Sequence, residues 1–361
     1  MMPSKQFWRG KRVLVTGHTG FKGAWLVTWL VELGAEVCGY ALAPDGEDNL
    51  WVDLAMEDHV ESIIGNINDV SKFNEVFDRF KPEVVFHLAA QSLVLESYDA
   101  PVETFASNVL GVVSLLDIAR KHDSVAAIVI ATSDKCYDNQ ELDQPFDESD
   151  RFGGRDPYSA SKGCAEIAAA SMRLSFYKPG AVDGHNAQIA TVRAGNVIGG
   201  GDWSANRLVP DIIRGCLHED RKAIIRSPAS VRPWQHVLEP LCGYILLAEK
   251  LCSGSDKYSD GWNFGPGPSS EQPVLSVAES LVSFFGDAEL VVQGDKNAPH
   301  EAKFLRLNAG KAQAELDWRP QLGFEETVSF TADWYARWSN GEPAQSITQQ
   351  QISAYCADNE G

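Results

Sequence analysis

Apolar residues in this chain gather into short unbroken runs, and between those runs they recur at every third or fourth position. Residues 12–16 (Arg-Val-Leu-Val-Thr) form the first run, followed by others at 36–41, 60–64, 84–88 and 126–131. Each is apolar at nearly every position instead of at alternate ones, the pattern of strands covered on both faces. Residues 21–33, 70–80 and 108–122 carry helical spacing between them. Strand and helix in alternation predict an α/β fold, a Rossmann-type doubly wound parallel sheet. Pro157, a favoured first-turn residue, opens a helix expected to reach Phe176, and a further buried strand follows at 189–193. The run Gly199-Gly200-Gly201-Asp202-Trp203 breaks the pattern, and the rest mixes helices with short strands. We expect a dinucleotide-binding unit over 1–198 and a smaller mixed α/β lobe over 199–361, with some chain crossing between them. The Gln- and Ser-rich tail after Asn340 reads as loosely packed.

The first strand runs straight into Gly17-His18-Thr19-Gly20-Phe21-Lys22-Gly23 and then a helix. Glycines at that junction permit a tight bend and bring backbone N–H groups close to a pyrophosphate at the helix N-terminus. A carboxylate ending the second strand would bind an adenosine ribose, and an arginine there would favour a 2′-phosphate. This strand ends Cys38-Gly-Tyr-Ala-Leu42 with neither; Asp45 reads as a turn residue, and Lys22 could tolerate a 2′-phosphate.

The net charge of −19, with no compensating basic stripe, argues against nucleic acid and anionic membranes as partners while allowing a local cationic pocket for a small anion. Seven cysteines without a CxxC pair read as reduced thiols. The first eleven residues are polar and no unbroken run of about 18 apolar residues occurs, so a cytoplasmic protein is expected. His87 reads as the end of a buried strand, and no HExxH motif or carboxylate cluster points to a metal.

The chemistry concentrates in two places. Thr132-Ser133-Asp134-Lys135-Cys136-Tyr137 follows the fifth run, and Tyr158-Ser-Ala-Ser-Lys162 opens the long helix. Tyr and Lys four apart share a helix face, so the ammonium is expected to lower the phenol's pKa and let it take a proton from a sugar hydroxyl. Asp134 and Lys135, where α/β active sites form, offer a further acid and base.

With Gly17/Gly20/Gly23, His87-Leu-Ala-Ala90, Asn108, Thr132–Tyr137, Tyr158/Lys162 and Arg193-Ala-Gly-Asn196-Val, the chain resembles the extended short-chain dehydrogenase/reductase family, and within it the sugar-nucleotide 4,6-dehydratases. The resemblance covers nearly the whole chain. It implies an NAD-dependent lyase that oxidises C4 of a nucleoside-diphosphate glucose, eliminates water across C5 and C6, and returns the hydride to C6. A 4-epimerase of the same fold would need only the Ser–Tyr–Lys set, and a non-catalytic dinucleotide sensor none of it. By resemblance Ser133 hydrogen-bonds the C4 oxygen, Tyr158 takes the C4 hydroxyl proton, Lys162 holds the nicotinamide ribose, and Asp134 is the acid at C6. Relatives acting on dTDP-glucose carry Glu in place of Lys135, so Lys135 reads either as a neutral base at C5 or as a charged group polarising the ketone or placing a water. The resemblance further assigns Gly17, His18, Gly20, Phe21, Lys22, Gly23, Asn66, Ile67, Leu88, Ala89 and Ala90 to the cofactor, with Asn66 replacing the usual Asp. It assigns Gln91, Asn196, Arg207 and Arg232 to the substrate. A homodimer or dimer of dimers, joined by the Asn108 and Tyr158 helices, is also implied, as is a place in making 3,6-dideoxyhexoses for surface polysaccharide such as lipopolysaccharide O-antigen.

Overall fold

The computed structural model describes residues 1–46, 48–178, 181, 184–293 and 305–357. Seven strands form its central sheet: β1 (Arg12–Thr16), β2 (Glu36–Ala41), β3 (Glu61–Ile64), β4 (Val84–His87), β5 (Ala127–Ala131), β6 (Gln188–Arg193) and β7 (Gly261–Asn263). They lie in the order β7-β6-β5-β4-β1-β2-β3, every neighbouring pair parallel. The order reverses between β1 and β4, which opens a crevice at their carboxyl ends, where open α/β sheets bind ligands.

Successive strand residues feed two cores. Val13, Val15, Val84, Phe86, Ala127, Val129, Ala190 and Val192 face one layer; Leu14, Val85, Ile128, Ile130 and Ile189 face the other. The first layer is built from helices α1 (Phe21–Glu32), α7 (Leu238–Leu251), α8 (Phe324–Ser339) and α9 (Ala344–Ala357), the second from α3 (Val70–Phe80), α4 (Pro101–Ala119) and α5 (Pro157–Phe176). The remaining helices named here are α2 (Leu50–Leu54) and α6 (Leu208–Leu217). Helix α5 starts where Asp156 accepts a hydrogen bond from the Ser159 N–H, with Pro157 in the first turn.

Two expectations change. The tail forms α9, whose Ile347, Ile352 and Tyr355 are buried, and it packs on α1 and α2. The helix expected from 108 begins at Pro101 and carries a π-turn over Ala106–Leu110. By length and composition α4 could cross a membrane, but 44% of its most apolar window is buried in this fold and it carries Glu103 and Asp117. On α5, the small residues Ala165 and Ala169 pack into the second core.

Candidate active site

The Gly-rich turn leaves β1 with Gly17 at φ +74°; a Cβ there would sit 2.7 Å from the Ala89 nitrogen. A Cβ on Gly23 would fall 2.1 Å from the Gly17 carbonyl oxygen, so that glycine lets α1 close onto the turn. Gly20 caps α1 with no side-chain bond, leaving first-turn N–H groups for an anion. Opposite, Leu88, Ala89 and Ala90 are half-buried, and the Ala89 N–H donates to Thr16 Oγ1. These residues fit a dinucleotide pyrophosphate. Phe21 lies at the start of α1, against Gly199.

The adenosine end differs from a ribose-carboxylate site. Strand β2 ends at Ala41, and Tyr40 turns its hydroxyl to the Asn66 carbonyl. The His18 ring is buried, edge-on to Trp51 at 4.6 Å, with Nε2 2.7 Å from Ser62 Oγ. Burial lowers its pKa to about 4, so it is neutral. A Cβ on Gly39 would overlap this ring at 2.3 Å, which explains the glycine within β2. Ile67 points into the second core beside Gly111, while exposed Asn66 caps its own turn through Asn68 N–H.

Beyond β5, Ser133 accepts from the Lys135 N–H and donates to Asp134 Oδ1 at 2.9 Å, holding a single 3₁₀ turn over Asp134–Cys136. Asp134 is buried, and burial pushes its pKa up against the pull of Lys135, Ser133 and Lys22. Gly195 leaves room for it: a Cβ at that position would lie 1.8 Å from Asp134 Oδ2. Lys135 on the same turn is half-buried. Tyr158 and Lys162 project from the first turns of α5 to this turn, and Lys162 Nζ stands 5.9 Å from the Tyr158 ring centre.

The expected fall in the Tyr158 pKa does not occur. Burial raises it to about 12, outweighing the Ser133 hydroxyl and Arg207, and burial also lowers Lys162 to about 8, with Lys22 second. Both groups pay desolvation, so their neutral forms gain together. The Lys22 pKa is brought down to about 8, by burial first and then by Arg207, while the charges of Asp134 and Asp202 oppose the fall.

Arg207 caps α6 and pairs with Asp202 at 3.1 Å; Asn196 holds a left-handed turn at φ 48°, and Arg232 lies on the edge strand Val231–Pro233. The Gln91 amide is engaged at both ends by Leu93, and its backbone N–H and C=O are bound by Asn108, which the π-turn of α4 brings within 2.8 Å of Ser161. His87 is buried, bonded to Thr16, with a pKa lowered to about 3 by burial and then by Lys162.

Sequence reading passed over Glu166, buried on α5. It accepts from Thr132, Thr191 and twice from Arg193, whose third nitrogen donates to the Tyr137 hydroxyl. A carboxylate eight residues beyond Tyr158 and four beyond Lys162, on a helix otherwise small and apolar there, was the available signal.

The family model described as GDP-mannose 4,6 dehydratase matches residues 14–239. The chain belongs to this family. It is 46% identical over 354 residues to the CDP-glucose 4,6-dehydratase of Salmonella typhimurium, covering 98% of both chains. A dTDP-glucose 4,6-dehydratase from Bacillus anthracis, solved in complex with NAD, shares the fold with TM-score 0.75 at 22% identity over 92% of this chain and 98% of its own. The UDP-glucose 4-epimerase of Thermotoga maritima, solved with UDP-glucose, gives 0.76 at 21% identity over 91% and 99%.

Proposed function

We propose that this chain uses NAD to convert CDP-glucose to CDP-4-keto-6-deoxyglucose with loss of water. The 46% identity to a CDP-glucose 4,6-dehydratase along nearly the full length of both chains supports the substrate. The carrying observation is Asp134, buried beside Ser133 and next to Tyr158 and Lys162. A simple oxidation and reduction at C4 would leave such a carboxyl without a task.

Bound NAD supplies the hydride acceptor and later the hydride donor. Ser133 hydrogen-bonds the C4 oxygen and Tyr158 exchanges a proton with it, while Lys162 holds the nicotinamide ribose. Asp134, kept protonated more readily by its burial, gives its proton to the departing C6 hydroxyl, and Lys135 on the same turn serves the C5 position. Residues 199–361 hold most of the sugar nucleotide, with Arg207 and Arg232 on the nucleotide diphosphate together with Asn196, and Gln91 also on the substrate.

The subunit works as a homodimer in the cytoplasm. In support, α4 leaves Val102 83% exposed and Leu110 more than half exposed at an apolar hollow of about 510 Å³ bounded by Pro101, Phe105 and Val109, and α5 leaves Ile167 and Leu174 more than half exposed. Among the described residues the seven cysteines form no disulfide with one another.

Purified protein with NAD is incubated with CDP-, dTDP-, UDP- and GDP-sugars, and loss of water is followed by mass spectrometry. Dehydration of CDP-glucose alone supports the proposal. Dehydration of another nucleotide sugar instead removes the nucleobase assignment, and C4 epimers without water loss remove Asp134 and Lys135 from their roles.

A further inference from the structure

Helix α5 presents Tyr158, Lys162 and Glu166 at intervals of four, a single stripe along one face. The first two reach the reacting side; Glu166 is turned beneath it and is buried with Arg193, at 2% and 3% side-chain exposure. Its carboxylate takes four hydrogen bonds: Thr132 Oγ1 at 2.5 Å, Thr191 Oγ1 at 2.6 Å, Arg193 Nε at 2.7 Å and Arg193 Nη2 at 2.9 Å. Arg193 Nη1 donates to the Tyr137 hydroxyl at 2.5 Å, and Tyr137 donates to Asn263 Oδ1 at 2.7 Å. The guanidinium also lies 5.1 Å and 5.0 Å from the ring centres of Tyr137 and Phe152.

Thr132 and Tyr137 bracket the turn that carries Ser133, Asp134 and Lys135. Both ends of that turn are therefore tied to one carboxylate, the first directly and the second through Arg193. A buried ion pair is a weak source of stability, since apolar replacements of like volume often do as well. What it supplies here is direction, because a planar fork met by a carboxylate permits one arrangement. Gly261 is left without a side chain at this point: a Cβ there would come within 2.2 Å of Arg193 Nη2.

We propose that Glu166, acting through Arg193 and Thr132, is a positioning residue that fixes the Asp134–Lys135 turn relative to Tyr158, so that elimination depends on it more than oxidation does. The inference rests on the dehydratase reading above. Oxidation at C4 uses Tyr158 on α5 with only Ser133 from the start of the turn, whereas elimination needs Asp134 and Lys135 further along it to meet C6 and C5 at the same time. A small rotation of the turn costs the second step first.

The test uses the full-length protein loaded with NAD and CDP-glucose, comparing Thr132→Val and Glu166→Gln with the unaltered chain. Thr132→Val removes one tie while leaving the ion pair, so it covers the case in which Glu166→Gln does not fold. Two signals separate the steps: reduced-nicotinamide absorbance in a single turnover reports C4 oxidation, and solvent deuterium at C5, with water loss by mass spectrometry, reports elimination. We expect oxidation within about threefold of the unaltered rate and elimination slowed tenfold or more, so that the reduced cofactor accumulates. Equal slowing of both steps, or no change in either, overturns the positioning role. If the unaltered protein dehydrates no nucleotide sugar, the functional reading falls, an outcome distinct from failure of this inference.

Discussion

Replacing Gly195 by alanine tests the placement of Asp134 without replacing any reacting group. The new methyl would lie 1.8 Å from Asp134 Oδ2 and 2.3 Å from its Cγ, where ordinary contact needs more than 3 Å. The carboxyl must retreat by roughly 1 to 2 Å, and its 2.9 Å bond from Ser133 cannot survive that shift. Overpacking of this kind costs about 1 to 3 kcal/mol of stability, which lowers the melting temperature and leaves the protein folded. The catalytic loss is larger. Taking a general acid out of reach costs about 10²- to 10⁴-fold, or about 3 to 5 kcal/mol of barrier, and it falls chiefly on elimination, with oxidation feeling only the freed Ser133 hydroxyl. The Gly195→Ala protein, after its fold is checked by circular dichroism and thermal melting, is mixed with NAD and CDP-glucose. Reduced-nicotinamide absorbance and water loss are followed in parallel. Build-up of the reduced cofactor with water loss slowed a hundredfold is the expected result. Water loss within threefold of the unaltered protein would mean that Asp134 has no role at C6, whatever its burial.

Lys135→Met should leave C4 oxidation measurable while abolishing deuterium exchange at C5; exchange at the normal rate takes Lys135 out of the C5 step. His236 sits buried between Trp25 and Phe330 with a pKa lowered to about 3 by burial, so the folded state resists its protonation and stability is lost as pH falls from 6.5 toward 3. His236→Phe should therefore gain about 2 kcal/mol over the unaltered protein between pH 7 and pH 5, read from denaturant melts, and a pH-independent difference refutes this. Because β2 ends without a carboxylate for the ribose, dialysed protein should retain well under one NAD per chain by mass spectrometry; full occupancy contradicts it. Paired Val102→Glu and Leu110→Glu changes should halve the sedimenting mass, and an unchanged mass excludes that face as the subunit contact.

The sheet was readable because each strand is covered on both faces and so reads as an unbroken apolar run, and the Gly-rich turn because its glycines answer steric demands local in sequence. Other features depend on contacts that local patterns do not encode. A π-turn has no composition of its own, so the extent of α4 and the setting of Asn108 escaped notice. The tail looked polar because Gln and Ser dominate it, while Ile347, Ile352 and Tyr355 supply one buried face. The Lys22 and Tyr158 pKa values are set first by burial, which no spacing reveals. Glu166 shows the converse: its spacing was visible, but its partners come from strand β6 and from the start of a turn.

The outermost strand beside β6 comes from residues 261–263, almost seventy positions after β6 ends. Its Asn263 receives the Tyr137 hydroxyl and donates to the Phe146 carbonyl, so the loop following the Ser133 turn is completed by chain made much later. During synthesis, the first two hundred residues emerge with one edge of β6 unpaired and the Tyr137 hydroxyl without its acceptor. A message cut short near residue 200 would release a chain with an open edge suited to joining another copy, and chaperone demand should peak before residue 263 leaves the ribosome.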